Sequence, residues 1–258
     1  MAFIDEHTLT ELAEEHGVPG DVAGELAGLL RPCVFLVRYE HLPERGRADL
    51  GRAGWTGGLP SLPEGVDWPD GAGPFVLGVD CAALPRDGLD IELPPDGQLL
   101  FFTTFKYEPD NAVVLHVPAG VPTVERPLPE GLDDQEAVAY EPRPLYALPG
   151  LTIDHDWYGS PAAKAFEGAR AEDDEVLDCF VEAVVNSVHG GPAPHSVAQI
   201  GGFSDQWQVA PDQDGLVLLA QISGNGVDHR LFTLNLTVGI REDIAAGRWE
   251  NLLHVQQC

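Results

Sequence analysis

The sequence is poor in cations. Its 258 residues include 14 lysines and arginines against 42 aspartates and glutamates, which gives a formal net charge of -28. Nucleic-acid affinity comes largely from cations that displace counterions from phosphates, and anionic lipid attracts the same side chains. We therefore expect neither a nucleic-acid partner nor a membrane partner. Two interpretations of the acidic surface remain: it aids solubility, or it forms a docking face for a basic protein.

Long apolar runs and paired cysteines are absent as well. No run reaches the roughly 18 residues that a membrane span needs, and the first residues, MAFIDEHTLTEL, lack the apolar region of a signal peptide. No CxxC pair occurs, so the pattern predicts neither a zinc ribbon nor a redox pair. Cys33, Cys81 and Cys179 lie in apolar runs and are typical of reduced core residues. We expect a cytoplasmic protein with no metal and no cofactor.

Recognisable catalytic motifs are missing. The sequence contains no GxSxG, no P-loop, no GxGxxG and no HExxH. The most chemically suggestive triplet is Asp154-His155-Asp156, because a carboxylate beside an imidazole can orient it as a base. In an extended segment His155 would point away from both acids, so a surface loop is the alternative interpretation. Asp212 and Asp214 begin like a calcium loop without its remaining ligands, which favours a hairpin turn.

Turn-forming residues and short apolar runs dominate what is present. The 22 prolines and 29 glycines favour short strands over long helices. A Thr8–Glu11 capping box, Gly17 and then Pro19 predict N-terminal helices across 8–30, and apolar spacing predicts a central helix over 172–188. The predicted strands are 33–39, 75–80, 98–105, 112–117, 136–141, 207–210, 216–222, 231–238 and 249–256, with a long loop over 41–74. The fold class that follows is α+β, predominantly β.

Two segments of the sequence resemble each other. GGLPSLPEGVDWP (57–69) precedes the apolar run FVLGVD, and GGFSDQWQ (201–208) precedes LVLLAQI. Each has a Gly-Gly pair, a turn-rich span, a Trp and then a buried strand. We interpret them as parts of two related β-rich halves, about 50–150 and 195–258, packed as one body in a single domain over 1–258. Chance similarity is the alternative.

The tryptophans of these segments are candidate binding residues. If the two halves face each other, Trp68 and Trp207 would line one cleft, together with polar groups from Gln199, Gln206 and Gln221. The alternative is that both rings are core anchors that fix irregular loops, since large aromatics are usually buried for packing.

Six strings in the sequence carry a family resemblance. They are GGLPSLPEGVDWP, PFVLGVDCAALP, LPPDGQLLFF, HSVAQIGGFSDQWQ, LVLLAQISGNG and WENLLHVQQC. In this order, over about 50–258, they resemble the YwqG-like family, a bacterial domain of unknown function. The resemblance implies a largely β fold of two related halves, no established activity, and a connection to interaction or immunity proteins of toxin systems. Gly78 departs from the pattern, because the family often carries Gln there, whereas Gln221 keeps that Gln in the second half.

These observations lead to one preferred function and two alternatives. The preferred one is a non-enzymatic, cytoplasmic binding protein for a basic protein partner, such as a toxin to be neutralised, because complementary charge speeds association. The first alternative is an enzyme of unrecognised type that uses Asp154, His155 and Asp156. The second is a small-molecule-binding protein with a Trp-lined cleft.

Overall fold

A computed structural model describes residues 4–43, 50–106, 109, 111–130, 138–169, 175–189, 195–205 and 207–258. The helices are α1 (Glu6–His16), α2 (Gly20–Gly28), α3 (Pro161–Ala169), α4 (Val176–Ser187), α5 (Gly224–Val227) and α6 (Arg241–Ala245). The strands are β1 (Leu30–Val37), β2 (Arg52–Thr56), β3 (Ser61–Pro63), β4 (Phe75–Asp80), β5 (Gln98–Phe102), β6 (Val113–Val117), β7 (Thr123–Glu125), β8 (Arg143–Ile153), β9 (Ser196–Ile200), β10 (Leu216–Ser223), β11 (Leu234–Ile240) and β12 (Leu253–Gln257). The predicted α+β class, predominantly β with N-terminal and central helices, is confirmed.

Ten strands form one antiparallel sheet in the order β12-β11-β10-β9-β1-β8-β2-β4-β5-β6, and β3 pairs with β7 separately. The sheet curls until its two ends meet. Asn235 on β11 donates hydrogen bonds to Thr103 Oγ1 at 2.9 Å and to the Thr104 carbonyl at 2.6 Å, just beyond β5. Gln256 on β12 donates to the same Thr104 carbonyl at 3.2 Å. A polar seam therefore closes the sheet around its inner face.

The inner face of the curled sheet holds the main apolar cluster. Its strand residues include Val34, Leu36, Leu77, Val79, Leu99, Phe101, Leu145, Ile200, Ala220 and Ile222. Helices α1 to α4 form a second apolar cluster with Leu30 of β1 and Ile153 of β8. Among the described residues, no helix combines the length and the apolar character that crossing a bilayer requires.

Two loops cover the outer face of the sheet. The first covering loop (57–74) contributes Leu62, Trp68 and Ala72 to an apolar cluster over the outer side of β4, β5 and β6. The second covering loop (201–215, described except for Gln206) lies over β9, β10 and β12, to which hydrogen bonds hold it. Each half of the sheet therefore has its own outer cover.

The two halves of the sheet share their irregularities. Gly-Gly pairs with positive φ follow β2 (61° and 76°) and β9 (68° and 75°). The β2–β8 pairing of the first half has a register shift, and so does the β9–β1 pairing of the second. A second shift occurs in the β4–β5 pairing of the first half and in the β10–β11 pairing of the second. With the Gly-Gly pairs aligned, the cross-strand pair Trp55–Gly78 of the first half takes the place of Gln199–Gln221 in the second.

The sequence analysis missed the long strand β8 in the middle of the sheet. Its sequence, RPLYALPGLTI, contains two prolines, and a proline within a run argues against a central strand. The structure accommodates both prolines because, among the described residues, Pro149 pairs only with β1 and Pro144 only with β2, so neither lies between two paired strands. Strand β9 was also missed, and the predicted loop over 41–74 contains β2 and β3.

Several other predictions are wrong. Residues 207–210 form no strand but belong to the second covering loop. The predicted strand over 136–141 lies partly outside the described residues, and its described part, 138–141, is not a strand. Asp5, not a Thr8 capping box, begins α1, because its carboxylate accepts from the Thr8 backbone N–H at 2.9 Å. The predicted central helix, in contrast, is present as Val176–Ser187, and its predicted start at 172 lies outside the described residues.

The cysteines divide into buried and exposed residues. Cys33 and Cys81 are buried, as predicted, whereas Cys179 is exposed on α4. Burial raises the pKa of the Cys81 thiol to about 11 and that of Cys33 well above its ordinary value. Both buried thiols therefore stay protonated at neutral pH, which is typical of structural rather than reactive cysteines.

His254 makes the stability of the fold depend on pH. It lies on β12 with its Nδ1 3.1 Å from Thr237 Oγ1, and burial lowers its pKa from 6.5 to about 4. Between these values the unfolded chain binds a proton first, so this contribution is present above pH 6.5 and is lost as pH falls toward 4. We expect the wild type to lose about 2 kcal/mol more than His254→Gln between neutral and acidic pH. Urea unfolding at pH 7 and about 4.5 measures the difference; equal losses would contradict it, and exposed His7→Gln is the control.

Candidate functional site

Buried glutamines hold the first part of the second covering loop. Gln199 Nε2 donates to the carbonyls of Gly201 at 2.8 Å and Phe203 at 2.9 Å. Gln221 Oε1 accepts from the Asp205 backbone N–H at 2.7 Å, and its Nε2 donates to Gln199 Oε1 at 3.2 Å. The two amides therefore form a bridge from the sheet to the loop backbone. The groups that a free ligand would use are already engaged there.

A third buried glutamine fixes the backbone around Trp207. Gln257 is 1% exposed, and its Oε1 accepts from the backbone N–H groups of Trp207 at 2.9 Å and Gln208 at 3.2 Å. Its Nε2 donates to the Val209 carbonyl at 2.7 Å. Both polar atoms of this buried side chain thus bond to the loop, and they fix the backbone that carries Trp207 above the sheet.

Carboxylates hold both ends of the same loop. Asp90 Oδ1 accepts from the Gly202 backbone N–H at 2.8 Å, and burial raises the pKa of this carboxyl. Gly202 has a φ of 75°, and a Cβ there would lie 2.8 Å from the Cβ of Cys33, so only glycine fits. At the other end Asp212 accepts from the Ser204 backbone N–H at 3.0 Å and from its hydroxyl at 2.5 Å. The loop is therefore fixed at its ends as well as at its centre.

A groove of about 380 Å³ lies between this loop and the sheet. Its lining comprises Phe35, His195, Ser196, Val197, Ala198, Asp205, Trp207, Gln221, Ser223 and Leu234. Trp207 is 51% exposed and Asp205 is exposed, whereas Phe35 and Leu234 are buried. Among the described residues, the lining includes an acid and no lysine or arginine. An aromatic face beside a carboxylate suits a cationic group, which gains from both the ring quadrupole and the opposite charge.

The structure separates the two tryptophans that the sequence placed in one cleft. Trp68 is 9% exposed, and its ring lies 5.2 Å from the ring of Phe102 in the cluster under the first covering loop. Its indole N–H donates to the Gly73 carbonyl at 3.3 Å. Trp207 lies in the groove of the other half, beside Gln221. Gln206 lies outside the described residues.

The acid–histidine triplet has a local structural arrangement. Asp154 Oδ1 accepts from the Asp156 backbone N–H at 2.9 Å and caps a 3₁₀ turn, His155–Gly159. The segment is therefore a turn, which differs from the extended conformation considered for it in the sequence. His155 and Asp156 are exposed, and none of the three residues lines the groove beside Trp207. Within the described ranges, no three histidine, cysteine or acidic side chains are placed to hold a metal ion.

Two residues important for the groove escaped the sequence analysis. Phe35 pairs with Gln199 across β1 and β9, and this register places both on the outer face. The alternation of side chains along the predicted strand 33–39 could have indicated an outward Phe35. Gln257 lies in the string WENLLHVQQC, which carries a family resemblance but no indication of a site. No local signal distinguishes it from the neighbouring Gln256, because its hydrogen-bond partner Trp207 lies 50 positions away in the chain.

The architecture defines the class of this protein as α+β, with one curled ten-stranded antiparallel sheet and two covering loops. The family model described as "Domain of unknown function (DUF1963)" matches residues 55–258. The chain therefore belongs to this family. The matched range includes both covering loops and every residue that lines the groove except Phe35. No curated protein matches the sequence.

Proposed function

We propose that this protein is a cytoplasmic, non-enzymatic, YwqG-like binding protein whose groove beside Trp207 receives a basic segment of a protein partner. A basic toxin is one partner of this kind. The observation that carries the proposal is the position of Trp207, a residue that is 51% exposed although buried Gln257 fixes its backbone. Exposed tryptophans on a rigid frame are typical centres of protein interfaces.

The fixed loop favours binding because it lowers the cost of association. Ordering a mobile loop at an interface uses up binding free energy, and a loop that is ordered beforehand avoids that loss. The hydrogen bonds from Gln199, Gln221 and Gln257 order this loop in the free protein. A lysine or arginine of the partner could then lie against Trp207 and pair with Asp205.

The charge of the whole chain supports a basic partner. A formal charge of -28 creates a negative field that attracts cationic proteins and speeds their encounter. Such steering weakens as salt screens the charges, over a Debye length of about 8 Å at physiological ionic strength. Binding should therefore be strongest at low salt.

The thiols of the described residues support the proposed compartment. Cys33, Cys81, Cys179 and Cys258 are all free in the structure. Free thiols are the ordinary state in the reducing cytoplasm, whereas secreted proteins commonly form disulfides.

Capture from a lysate of the source cells tests the proposal. The tagged wild type, Trp207→Ala and Phe232→Ala are compared at low and high salt; Phe232 is 69% exposed and does not line the groove. We expect one stoichiometric basic protein, retained by Phe232→Ala and lost at high salt. Trp207→Ala should weaken its binding at least about tenfold, as for a central interface tryptophan. Circular dichroism and melting temperature show whether both variants are folded.

The proposal fails if Trp207→Ala captures the same protein as well as the wild type does. It also fails if the captured protein is acidic or binds equally at high salt, because charge complementarity is then not involved.

A small cationic molecule is the second candidate occupant. The groove volume of about 380 Å³ lies within the range of small-molecule sites. A metabolite screen monitored by tryptophan fluorescence, with Trp207→Phe as the control, distinguishes the two. Saturable quenching that disappears in Trp207→Phe would favour the small molecule.

A further inference from the structure

A second groove, of about 300 Å³, lies where the end of β1 meets the segments before β8 and after β10. Its lining includes Arg38, Tyr140, Glu141, Arg143, Asp228 and Arg230. Three arginines therefore line one groove of a chain that has only 14 lysines and arginines in total. This concentration of cations runs against the composition of the protein.

Arg38 has a buried donor without a partner. Its Nη2 donates to the Gly226 carbonyl at 2.5 Å, which anchors the guanidinium in the groove. Its Nε is buried and has no hydrogen-bond partner among the described residues. In the part of the chain that the structure describes, Arg38 also forms no ion pair. A buried donor that is left unpaired destabilises a protein, and a charged one more so, which means that an arrangement of this kind calls for an acceptor.

The other two arginines keep donors available. Arg143 pairs with Glu141 at 2.6 Å, and Arg230 pairs with Asp228. A guanidinium has five N–H donors in a planar fork, and one carboxylate does not use all of them. Among the described lining residues, three guanidinium groups therefore face two carboxylates, which leaves an excess of positive charge.

Tyr140 adds a neutral donor to the lining. Burial, reinforced by the charge of Asp228, raises the pKa of its phenol to about 12. Its hydroxyl therefore remains protonated at neutral pH and can donate a hydrogen bond. Among the described residues, the one buried polar atom of this lining without a hydrogen-bond partner is a donor, Arg38 Nε, which indicates an anionic ligand.

We propose that this groove binds the phosphate group of a small molecule through Arg38, with Arg143 and Arg230 beside it. The three guanidinium groups come from three separate segments of the chain, and a tetrahedral dianion with several oxygens can accept from all of them. A planar carboxylate matches a single guanidinium fork instead. This site is separate from the groove beside Trp207, and it stands whether or not a basic protein binds there.

Calorimetric titration with inorganic phosphate tests the site, with sulfate and acetate as further probes in low-chloride buffer. We expect phosphate to bind one site with a dissociation constant on the order of 1 mM or below. Sulfate should compete with it, and acetate should bind more weakly. Arg38→Gln should weaken phosphate binding at least about tenfold, the loss of a charge-assisted contact. Arg126→Gln removes the same charge from the first half, where Arg126 donates to the Val66 carbonyl, and should leave binding unchanged.

Arg230→Gln provides a second variant if Arg38→Gln does not fold, because the Arg230 side chain is 74% exposed. The proposal is overturned if the wild type binds no phosphate, or if the two groove variants bind it as tightly as Arg126→Gln does. Acetate that binds as tightly as phosphate would overturn the assignment of a tetrahedral ligand.

Discussion

Gly78→Ala is expected to destabilise the protein by about 3 kcal/mol, as overpacking of a filled core does. A Cβ at this position would lie 2.3 Å from Cζ2 of the Trp55 ring, which packs directly over the glycine on the neighbouring strand. The strand pairing prevents the backbone from moving away, since β4 is hydrogen-bonded to β2 on one side and β5 on the other. Urea unfolding measures the change in the free energy of unfolding.

A double-mutant cycle shows whether the ring causes this loss. Trp55→Ala removes the ring, so adding Gly78→Ala to it should cost less than about 1 kcal/mol. Gly24→Ala is the control: a Cβ there meets no atom within 4 Å, and alanine in a helix is more stable than glycine by roughly 0.5–1 kcal/mol. If Gly78→Ala costs the same with and without the Trp55 ring, our account of this position is wrong.

Gln257→Leu is expected to release the second covering loop. The leucine leaves the N–H groups of Trp207 and Gln208 and the Val209 carbonyl without their partner in the sheet. Because the loop is at the surface, these groups can turn to water, so the loop should separate locally while the sheet stays folded. We expect a loss of about 2 kcal/mol and hydrogen exchange of the loop amides that is at least about tenfold faster.

The same variant should weaken binding of the basic partner about as much as Trp207→Ala does, because the ring is no longer held in place. Gln213→Leu makes the same chemical change at an exposed position of the same loop and is the control. Unchanged exchange of the loop amides in Gln257→Leu would show that the glutamine does not hold the loop.

The fold class followed from the sequence because buried strands and amphipathic helices leave local patterns. The runs at 75–80, 98–105 and 216–222 were recognised from apolar residues and turn signals, and each contains a strand in the structure, of which the second ends earlier, at Phe102. Strand β8 was not recognised, because its prolines conflict with the pattern of a central strand. Both are permitted because, in the described pairings, Pro149 pairs only with β1 and Pro144 only with β2, which is a property of the assembled sheet.

The site depended even more on contacts between distant segments. The sequence singled out Trp207 and Gln221, which the structure brings together in one groove, and Trp68, which it buries in the other half. Nothing local distinguishes the two tryptophans, because each follows a Gly-Gly pair and a turn-rich span. The two tryptophans differ in exposure because their loops are held in different ways. Apolar packing holds the first covering loop, whereas glutamine hydrogen bonds hold the second.

The duplication of one unit into two halves stays a prediction. We propose that they arose from one duplicated unit, because their Gly-Gly turns, register shifts and strand order correspond. In this view Trp55 and Gly78 replaced a pair like Gln199 and Gln221. That replacement also explains why Gly78 departs from the family resemblance.

The central claim is that a basic partner binds at Trp207, and the indole N–H resonances of the protein test it most directly. The chain has 5 tryptophans and hence five such signals in a ¹⁵N-edited NMR spectrum, of which Trp207→Phe and Trp68→Phe identify two. Stoichiometric addition of the captured partner should shift the Trp207 signal strongly. The Trp68 signal should move little, since that N–H is bonded to the Gly73 carbonyl inside the first half. A complex that forms without changing the Trp207 signal would contradict the account.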